Sequence, residues 1–401
     1  MTTAIIIGGG IAGCATAYAL AQRGIAVTII ERNSRLAQEA SGNPVAMLYP
    51  KLSATESIAN QITSLGYHFT LSLLNSLTQN STFFNACGQL QLAFNAVEQT
   101  KQDELYHASY SHKNLEFMLF VNVIEASEIA RVALKTGGIF LPQAGWVKPI
   151  LFCQALTASP LISVVTNCQA LTLNKVQNGW RVLHDSGFLE AENVVICNAN
   201  DIKQFPHCLS AAITPVRGQL NFFTTNVAGK NLKTIVCSDH YLSPAIDGIH
   251  TIGTSYAPNE MNAAISADDT QGNLAALAKI SPEISNKIDL KTVTGRVAFR
   301  SQTLDYRPLA GQLIDDETLR KNPPRYNAKS ADLPWLKGLY VNAGHGSKGM
   351  ITAPICGELI ACFIDKKNTL PIDAKLASSL NPSRFLLREL GLKQLASSLC
   401  S

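Results

Sequence analysis

At 401 residues the chain is too long for one ordinary core and suits two intimately connected domains. Apolar residues make up 46% and charged residues 15%, which excludes a long disordered tail, while a net charge of +4 permits a polyanionic partner without demanding one. Ten cysteines are scattered without a C-x-x-C pair, so neither a metal site nor a disulfide framework is expected, and reduced thiols in a cytoplasmic protein are.

The chain opens on the β-branched run Ala4-Ile5-Ile6-Ile7 and breaks at once into Gly8-x-Gly10-x-x-Gly13. An alanine-rich helical pattern from Cys14 to Gln22 follows, then a second apolar run from Ile25 to Ile30 that ends on Glu31. Strand, glycine turn, helix, strand and acid in that order are the dinucleotide-binding fingerprint in its context. Gly8 permits the tight turn, Gly10 lets the backbone approach a pyrophosphate, and Gly13 lets the helix lie close on the strand. The pyrophosphate is expected over the helix N-terminus at Ile11, Ala12 and Gly13, where amide hydrogens and the dipole favour negative charge. Glu31 is expected to accept from the adenosine ribose hydroxyls, with Arg32 beside it among the cofactor contacts. No positively charged region precedes the first apolar run, so it does not read as a signal peptide. No stretch approaches eighteen uninterrupted apolar residues, so no membrane span is expected.

The loop Ala40-Ser41-Gly42-Asn43-Pro44 is expected to run along the ligand, with Ser41, Gly42 and Asn43 in reach of its oxygens. A helix follows from about Glu56 to Leu77. Gln89 to Phe94 alternates like a strand, and Leu171 to Lys175 pairs with Trp180 to His184 as a hairpin. Val194 to Ile196 reads as a buried parallel strand whose C-terminal end, Asn198 to Asn200, faces the ligand crevice. A second β-rich region begins at Pro215-Val216-Arg217-Gly218-Gln219, continues through Tyr241-Leu242 and Thr251 to Ser255, and ends in the alternating run Gly295 to Arg300. The basic segment from Arg320 to Lys337 reads as a solvated loop.

Near the far end, Gly338 to Ala343 reads as a strand, Gly344-His345-Gly346-Ser347-Lys348-Gly349 as a turn, and Met350 to Ile364 as a helix. A helix N-terminus with Lys348 beside it stabilises negative charge, which a reduced flavin supplies at N1 and the C2 carbonyl and NAD does not. The second turn therefore turns the expectation from NAD to FAD, held by Gly344, Gly346, Ser347, Lys348, Gly349 and Met350.

Taken together, Gly8–Gly13, Glu31, Gly145-Trp146, Pro215 to Gln219, Gly253-Thr254, Asp305-x-x-Pro308 and Gly338 to Leu359 resemble the FAD-dependent amine oxidoreductases of the D-amino-acid oxidase and glycine oxidase type. Within them, the 40–50 loop, Gly88 to Ala93, Gly344 to Gly349 and Asn381 to Arg388 resemble the oxidoreductase half of the MnmC family of tRNA wobble-uridine modification enzymes. The resemblance implies an α/β fold: a Rossmann-like FAD domain of the glutathione-reductase type, and an α+β substrate domain with a mainly antiparallel sheet. The expected boundaries are 1–85, 146–214 and 305–376 for the FAD domain, 86–145 and 215–304 for the substrate domain, and 377–401 for a tail.

The implied reaction removes the carboxymethyl group of 5-carboxymethylaminomethyl-(2-thio)uridine at tRNA position 34, giving the aminomethyl form and glyoxylate. In that family a fused N-terminal methyltransferase completes the modification. Here the fingerprint begins at residue 4, so the methylation step is expected to fall to another polypeptide or not to occur. Arginine is more usual at Lys348, and lysine supplies the charge without the planar fork. Covalent-flavin relatives carry a cysteine near Ala298, so FAD is expected to bind non-covalently. The resemblance places a carboxylate-binding arginine at Arg300, favoured over Arg217, with Tyr241 on the same carboxylate and Lys348 at the reduced flavin. His345 is left outside the catalytic set, and Arg384, Arg388 and Lys393 are candidates for RNA phosphates. Two other readings stay open: an oxidase or dehydrogenase of a free amino acid (glycine, sarcosine or a D-amino acid), and a tRNA-binding module with a structural flavin.

Overall fold

The computed structural model describes residues 2–50, 52–55, 57–77, 83–112, 117–325, 327–366 and 369–399. The β-branched runs of the sequence assemble one six-stranded sheet in the order Leu309–Ile314, Trp335–Ala343, Asn193–Ile196, Thr3–Ile7, Ala26–Ile30, Ile162–Val165. Its strands are parallel except the Leu309–Ile314 edge. The first strand sits near the centre, with Ile5 registered on Val194 to one side and Thr28 to the other. Alternation then sends Ala4 and Ile6 into one core and Ile5 and Ile7 into another. The first core is covered by the helices Ile11–Ala21, Pro149–Leu156 and Gly349–Asp365. The second lies under a three-stranded antiparallel sheet, Ala170–Val176, Gly179–His184 and Gly187–Ala191, whose Trp180 and Val182 are buried. The expected hairpin is thus two strands of three.

The helical segment Gly346–Asp365 is long and apolar enough to cross a membrane by length and composition, yet its helix Gly349–Asp365 is a core element. It packs without side-chain clearance against two others. A Cβ on Gly357 would lie 2.9 Å from the Thr16 nitrogen, and one on Gly66, in helix Ile58–Leu77, 2.4 Å from the Ile351 carbonyl. The buried Asn342 completes the contact by donating to Thr16 Oγ1 at 2.9 Å.

The second large sheet is organised on the long strand Ile213–Thr224, paired antiparallel with Thr294–Thr303 from Ile213↔Thr303 to Phe222↔Thr294. Ile249–Gly253 pairs along the opposite edge. The sheet continues through Tyr241–Leu242, Ile235–Cys237, Gln89–Leu92, Gly138–Leu141 and Leu119–Val121, with one parallel pair, Ile235–Cys237 on Gln89–Leu92. Helix Ala267–Ile280 seals it by burying Leu277 and Ile280 against Phe223 and Ile252. A small sheet of Ala46–Leu48, Gly145–Val147 and Phe84–Asn85 carries the start of the Tyr49 loop.

Two surface readings are corrected by burial. Arg384 is fully buried, and its guanidinium grips Asp305 through Nε (3.0 Å) and Nη2 (2.8 Å). Its other hydrogens go to the carbonyls of Arg307, Pro308, Leu380 and Asn381, so it fastens the tail and is closed to phosphate. Arg388 also pairs with Asp305, at 3.1 Å, but stays partly exposed. The basic segment from Arg320 is not all solvated loop either: Asp316–Lys321 is a helix capped by Asp315, Arg320 pairs with Glu389 at 2.6 Å, and Trp335 starts a sheet strand.

Against its own burial, Arg384 and Arg307 hold the Asp305 carboxyl well below the usual carboxylate range. A depressed carboxyl contributes stability that is complete above its unfolded pKa, about pH 4, and is lost as the pH falls below it. Arg384→Ala, which leaves Asp305 to Arg307 and Arg388 and takes a donor from four backbone carbonyls, should cost about 3 kcal/mol in urea unfolding at pH 7. Asp305→Asn should flatten the acid limb of stability between about pH 4 and pH 2.

Candidate active site

The first glycine turn is shaped by what it cannot hold. Gly8 has φ +106° and a Cβ there would lie 2.8 Å from the Cys197 carbonyl, while a Cβ on Gly13 would stand 1.9 Å from the Gly8 carbonyl. Strand and helix therefore touch through bare backbone. Gly10 caps the helix with no side chain, leaving its N-terminus open to an anion. Ser41 Oγ accepts from the Ile11 amide at 3.0 Å, so the loop closes over the turn. Glu31 is buried at the end of its strand, where its carboxylate accepts from Gly9 and Asn33 amides at 2.7 Å each. Its oxygens keep lone pairs for hydroxyl donors. Arg32 is already engaged, by Glu39 at 2.7 Å and Asp201 at 2.9 Å.

The second turn needs left-handed backbone at Gly344 (φ +73°) and Gly346 (φ +55°), then winds through Gly346–Lys348 into helix Gly349–Asp365. Ser347 is exposed and Met350 packs on the core edge. A Cβ on Gly349 would lie 3.5 Å from Ile11 Cγ2, so the two helix N-termini meet. Lys348 Nζ sits 3.6 Å from the centre of the Tyr49 ring. His345 Nδ1 contacts Thr352 Oγ1 at 2.9 Å, and that hydroxyl itself donates to the Lys348 carbonyl at 3.0 Å. The imidazole must then donate from Nδ1, which leaves Nε2 a buried acceptor without a partner. Burial pushes its pKa down to about 3, so it is neutral at working pH.

The strand Thr294–Thr303 runs past both turns with residues 296, 300 and 302 on one face. Arg296 reaches the first turn's loop, donating to Asn43 Oδ1 at 2.6 Å and to the Gln38 carbonyl at 2.9 Å, and to that of Glu39. Gly42 lets it pass, since a Cβ there would lie 2.7 Å from its Nη2. Gln302 bridges to His345 in the second turn. Between them Arg300 lies flat over Gly218, where a Cβ would come within 2.4 Å of its Nη2. Its Nη2 donates to Thr254 Oγ1 at 2.8 Å and Nη1 to the Ser255 carbonyl at 3.4 Å. Burial lowers the Arg300 pKa against the opposing pull of Tyr241, Tyr256 and Tyr49. Among the described residues it has no carboxylate partner. Burial in turn raises the Tyr241 pKa, with Arg300 opposing, so the phenol stays a donor.

This arrangement fits FAD. Bare glycine turns at two converging helix N-termini suit a pyrophosphate and a flavin ring, and Glu31 suits a ribose. Three buried polar atoms lack protein partners nearby: Asn198 Oδ1 beside Gly8, Asn200 Oδ1 beside Phe299, and His345 Nε2. The family described as FAD dependent oxidoreductase matches residues 3–362. The chain belongs to that family of FAD-dependent oxidoreductases. It is 38% identical over 394 residues to the tRNA 5-methylaminomethyl-2-thiouridine biosynthesis bifunctional protein MnmC of Methylobacillus flagellatus, covering 98% of this chain and 60% of that protein. The MnmC of Pseudomonas savastanoi is 39% identical, with 96% and 59% covered. The chain thus spans about 60% of the length of these curated relatives. Among solved structures, glycine oxidase from Geobacillus kaustophilus superposes with a TM-score of 0.75 at 22% identity, covering 92% of this chain and 96% of that one. L-proline dehydrogenase from P. horikoshii does so at 0.76 and 19%, covering 97% and 98%.

As an FAD-dependent oxidoreductase the chain separates its arginines by partner. Arg217 is buried and tied to Asp269 and to the Asn262 and Ala264 carbonyls, both at 2.7 Å, which leaves nothing for a substrate. Arg296, Tyr49, Thr254 and Gln302 join the site although the sequence marks none of them as a site residue. Tyr49 and Thr254 lie in segments that carry the family resemblance, and the period-two spacing of 296, 300 and 302 is the signal for the other two. All nine cysteines among the described residues are free thiols, and burial pushes Cys197 and Cys237 up to about 12, so both are uncharged. Cys168, His184 and Asp185 do gather their ligand atoms within 4.8 Å, a grouping hidden from spacing rules by the intervening hairpin. Backbone amides of Ser186 and Gln169 already bond His184 and Asp185, each at 3.3 Å.

Because Arg296 holds the 38–43 loop to the substrate strand, Arg296→Ala should weaken FAD binding by about tenfold or more, the scale of lost charge-assisted hydrogen bonds. Flavin fluorescence released on dilution measures it, with the far-UV spectrum unchanged.

Proposed function

We propose that this chain oxidises the carboxymethylaminomethyl arm of 5-carboxymethylaminomethyl-(2-thio)uridine at tRNA position 34, giving the aminomethyl base and glyoxylate. The observation that carries the reading is Arg300: a desolvated guanidinium beside the flavin turn, with neutral partners only. Such a group calls for a carboxylate from outside. The likeness to MnmC proteins across almost the whole chain supports the identity of the base that carries it.

Arg300 binds the arm's carboxylate and Tyr241, kept protonated by burial, donates a second hydrogen bond to it. This fixes the adjacent carbon toward the second turn, where Lys348 and the helix N-terminus of Gly349–Asp365 favour negative charge. FAD, bound non-covalently, supplies the two-electron acceptor for the C–N bond. The oxidised arm is an imine, which water cleaves to glyoxylate and the primary amine. His345, neutral and donating to Thr352, orders the turn and leaves Nε2 as an acceptor open to the bound cofactor or substrate. The aminomethyl product is the substrate class of a methyl-transfer step, and the cytoplasm, where tRNA resides, is the compartment this reading requires.

Anaerobic incubation with tRNA from cells lacking this gene should bleach the flavin and release glyoxylate, whereas glycine, sarcosine and D-amino acids should not. Bleaching by an amino acid alone would overturn the reading in favour of a free-amino-acid oxidase; no bleaching by either would leave the flavin structural. Arg300→Ala should raise KM for the tRNA by about 100-fold with FAD still bound, and Arg300→Lys should recover part of the loss.

A further inference from the structure

The three residues after strand Ile249–Gly253 run beside Arg300. Thr254 and Ser255 hold its guanidinium, and Tyr256 follows. The Tyr256 hydroxyl accepts from Gln302 Nε2 at 2.8 Å, and Gln302 is the residue that bridges to His345 in the flavin turn. The tyrosine is therefore fixed by its polar tip to the strand that frames the site. Its ring is nonetheless 53% exposed. An aromatic residue anchored at its polar tip and more than half exposed can serve as a stacking platform, and little folding energy comes from leaving it in water.

Reach decides what would stack there. In the proposed substrate the carboxyl carbon lies four bonds from C5 of the pyrimidine, about 5 Å when extended. With the carboxylate on Arg300, the ring must sit about that distance away, and Tyr256 is close enough to Arg300 to act on it electrostatically. The chain continues beyond the strand with Leu304 and Tyr306, each 70% exposed, near the Asp305 cluster, in which Arg384 is sealed inside and Arg388 alone keeps a substantially exposed guanidinium. Exposed apolar side chains with an accessible cation near them suit single-stranded nucleic acid, whose bases stack on aromatics while its phosphates seek cations.

We propose that Tyr256 is the specificity residue on which the pyrimidine ring of the wobble uridine stacks while its arm reaches Arg300. This rests on the tRNA reading above and assigns the ring contact it lacks. The test compares Tyr256→Phe, Tyr256→Leu and Tyr256→Ala for oxidation of hypomodified tRNA, alongside titration of each holoenzyme with acetate, followed by the flavin spectrum as a probe of Arg300. The expected result is a rise in KM for tRNA of about tenfold or more in the Ala and Leu variants, with Phe close to the parent and acetate affinity equal in all four. Equal KM in parent, Leu and Ala variants would overturn the stacking role while leaving the tRNA reading intact. A parent enzyme that does not oxidise tRNA would overturn both. Loss of acetate affinity together with KM would also overturn it, by showing that Tyr256 acts through Arg300. Leu retains an apolar side chain, so it gives the readout should Ala lose flavin.

Discussion

The contact on which the site depends is the approach of two helices that have no room for side chains between them. Helix Gly349–Asp365 lies on Ile11–Ala21 at Gly357 and on Ile58–Leu77 at Gly66, and Asn342 fastens the first pair from the strand beneath. Because they pack at backbone distance, their N-termini converge, and Gly349 reaches Ile11. Two separate glycine turns, far apart in sequence, become one continuous anion-favouring surface. A bulkier interface would move the turns apart and divide the cofactor site.

Charge is handled by a different rule. Arg217 and Arg384 are buried with internal carboxylates, and both brace the fold. Arg300 is held by a hydroxyl and a carbonyl, which orient it without neutralising it. In the proposed reading, a half-buried guanidinium left in this state raises the free energy of the empty enzyme, and a bound carboxylate would relieve it. Gly218 leaves the guanidinium room to lie flat and Thr254 orients it.

Much of this was legible from the residues. The strand, turn, helix and acid around Gly8 and Glu31 are local features, each decided by neighbours in sequence, and they stand as read. So does the Gly344–Gly349 turn with its helix. What stayed illegible depends on contacts between distant segments. Nothing adjacent to Arg384 tells that Asp305 will lie against it, so a buried brace reads like a cationic surface residue. Cys168 meets His184 only once a hairpin folds. Arg296 sits in an alternating strand like any other, and its grip on Gln38, Glu39 and Asn43 exists only after the two sheets are assembled. Sequence periodicity marks which face a residue takes, but not which partner waits there.

The central place of Thr3–Ile7 has a consequence for biosynthesis. That strand leaves the ribosome early, yet its neighbour Asn193–Ile196 and the next strand, Trp335–Ala343, follow much later. The helix that closes its face, Gly349–Asp365, is translated later still. Parallel pairing at such separation cannot form until the intervening chain exists. The nascent protein must therefore carry its first glycine turn, without the surface that completes it, until synthesis has passed Asp365. Flavin capture waits on the synthesis of Gly349–Asp365, and the Ile5–Ile7 edge lacks its partner until Asn193–Ile196 has been made.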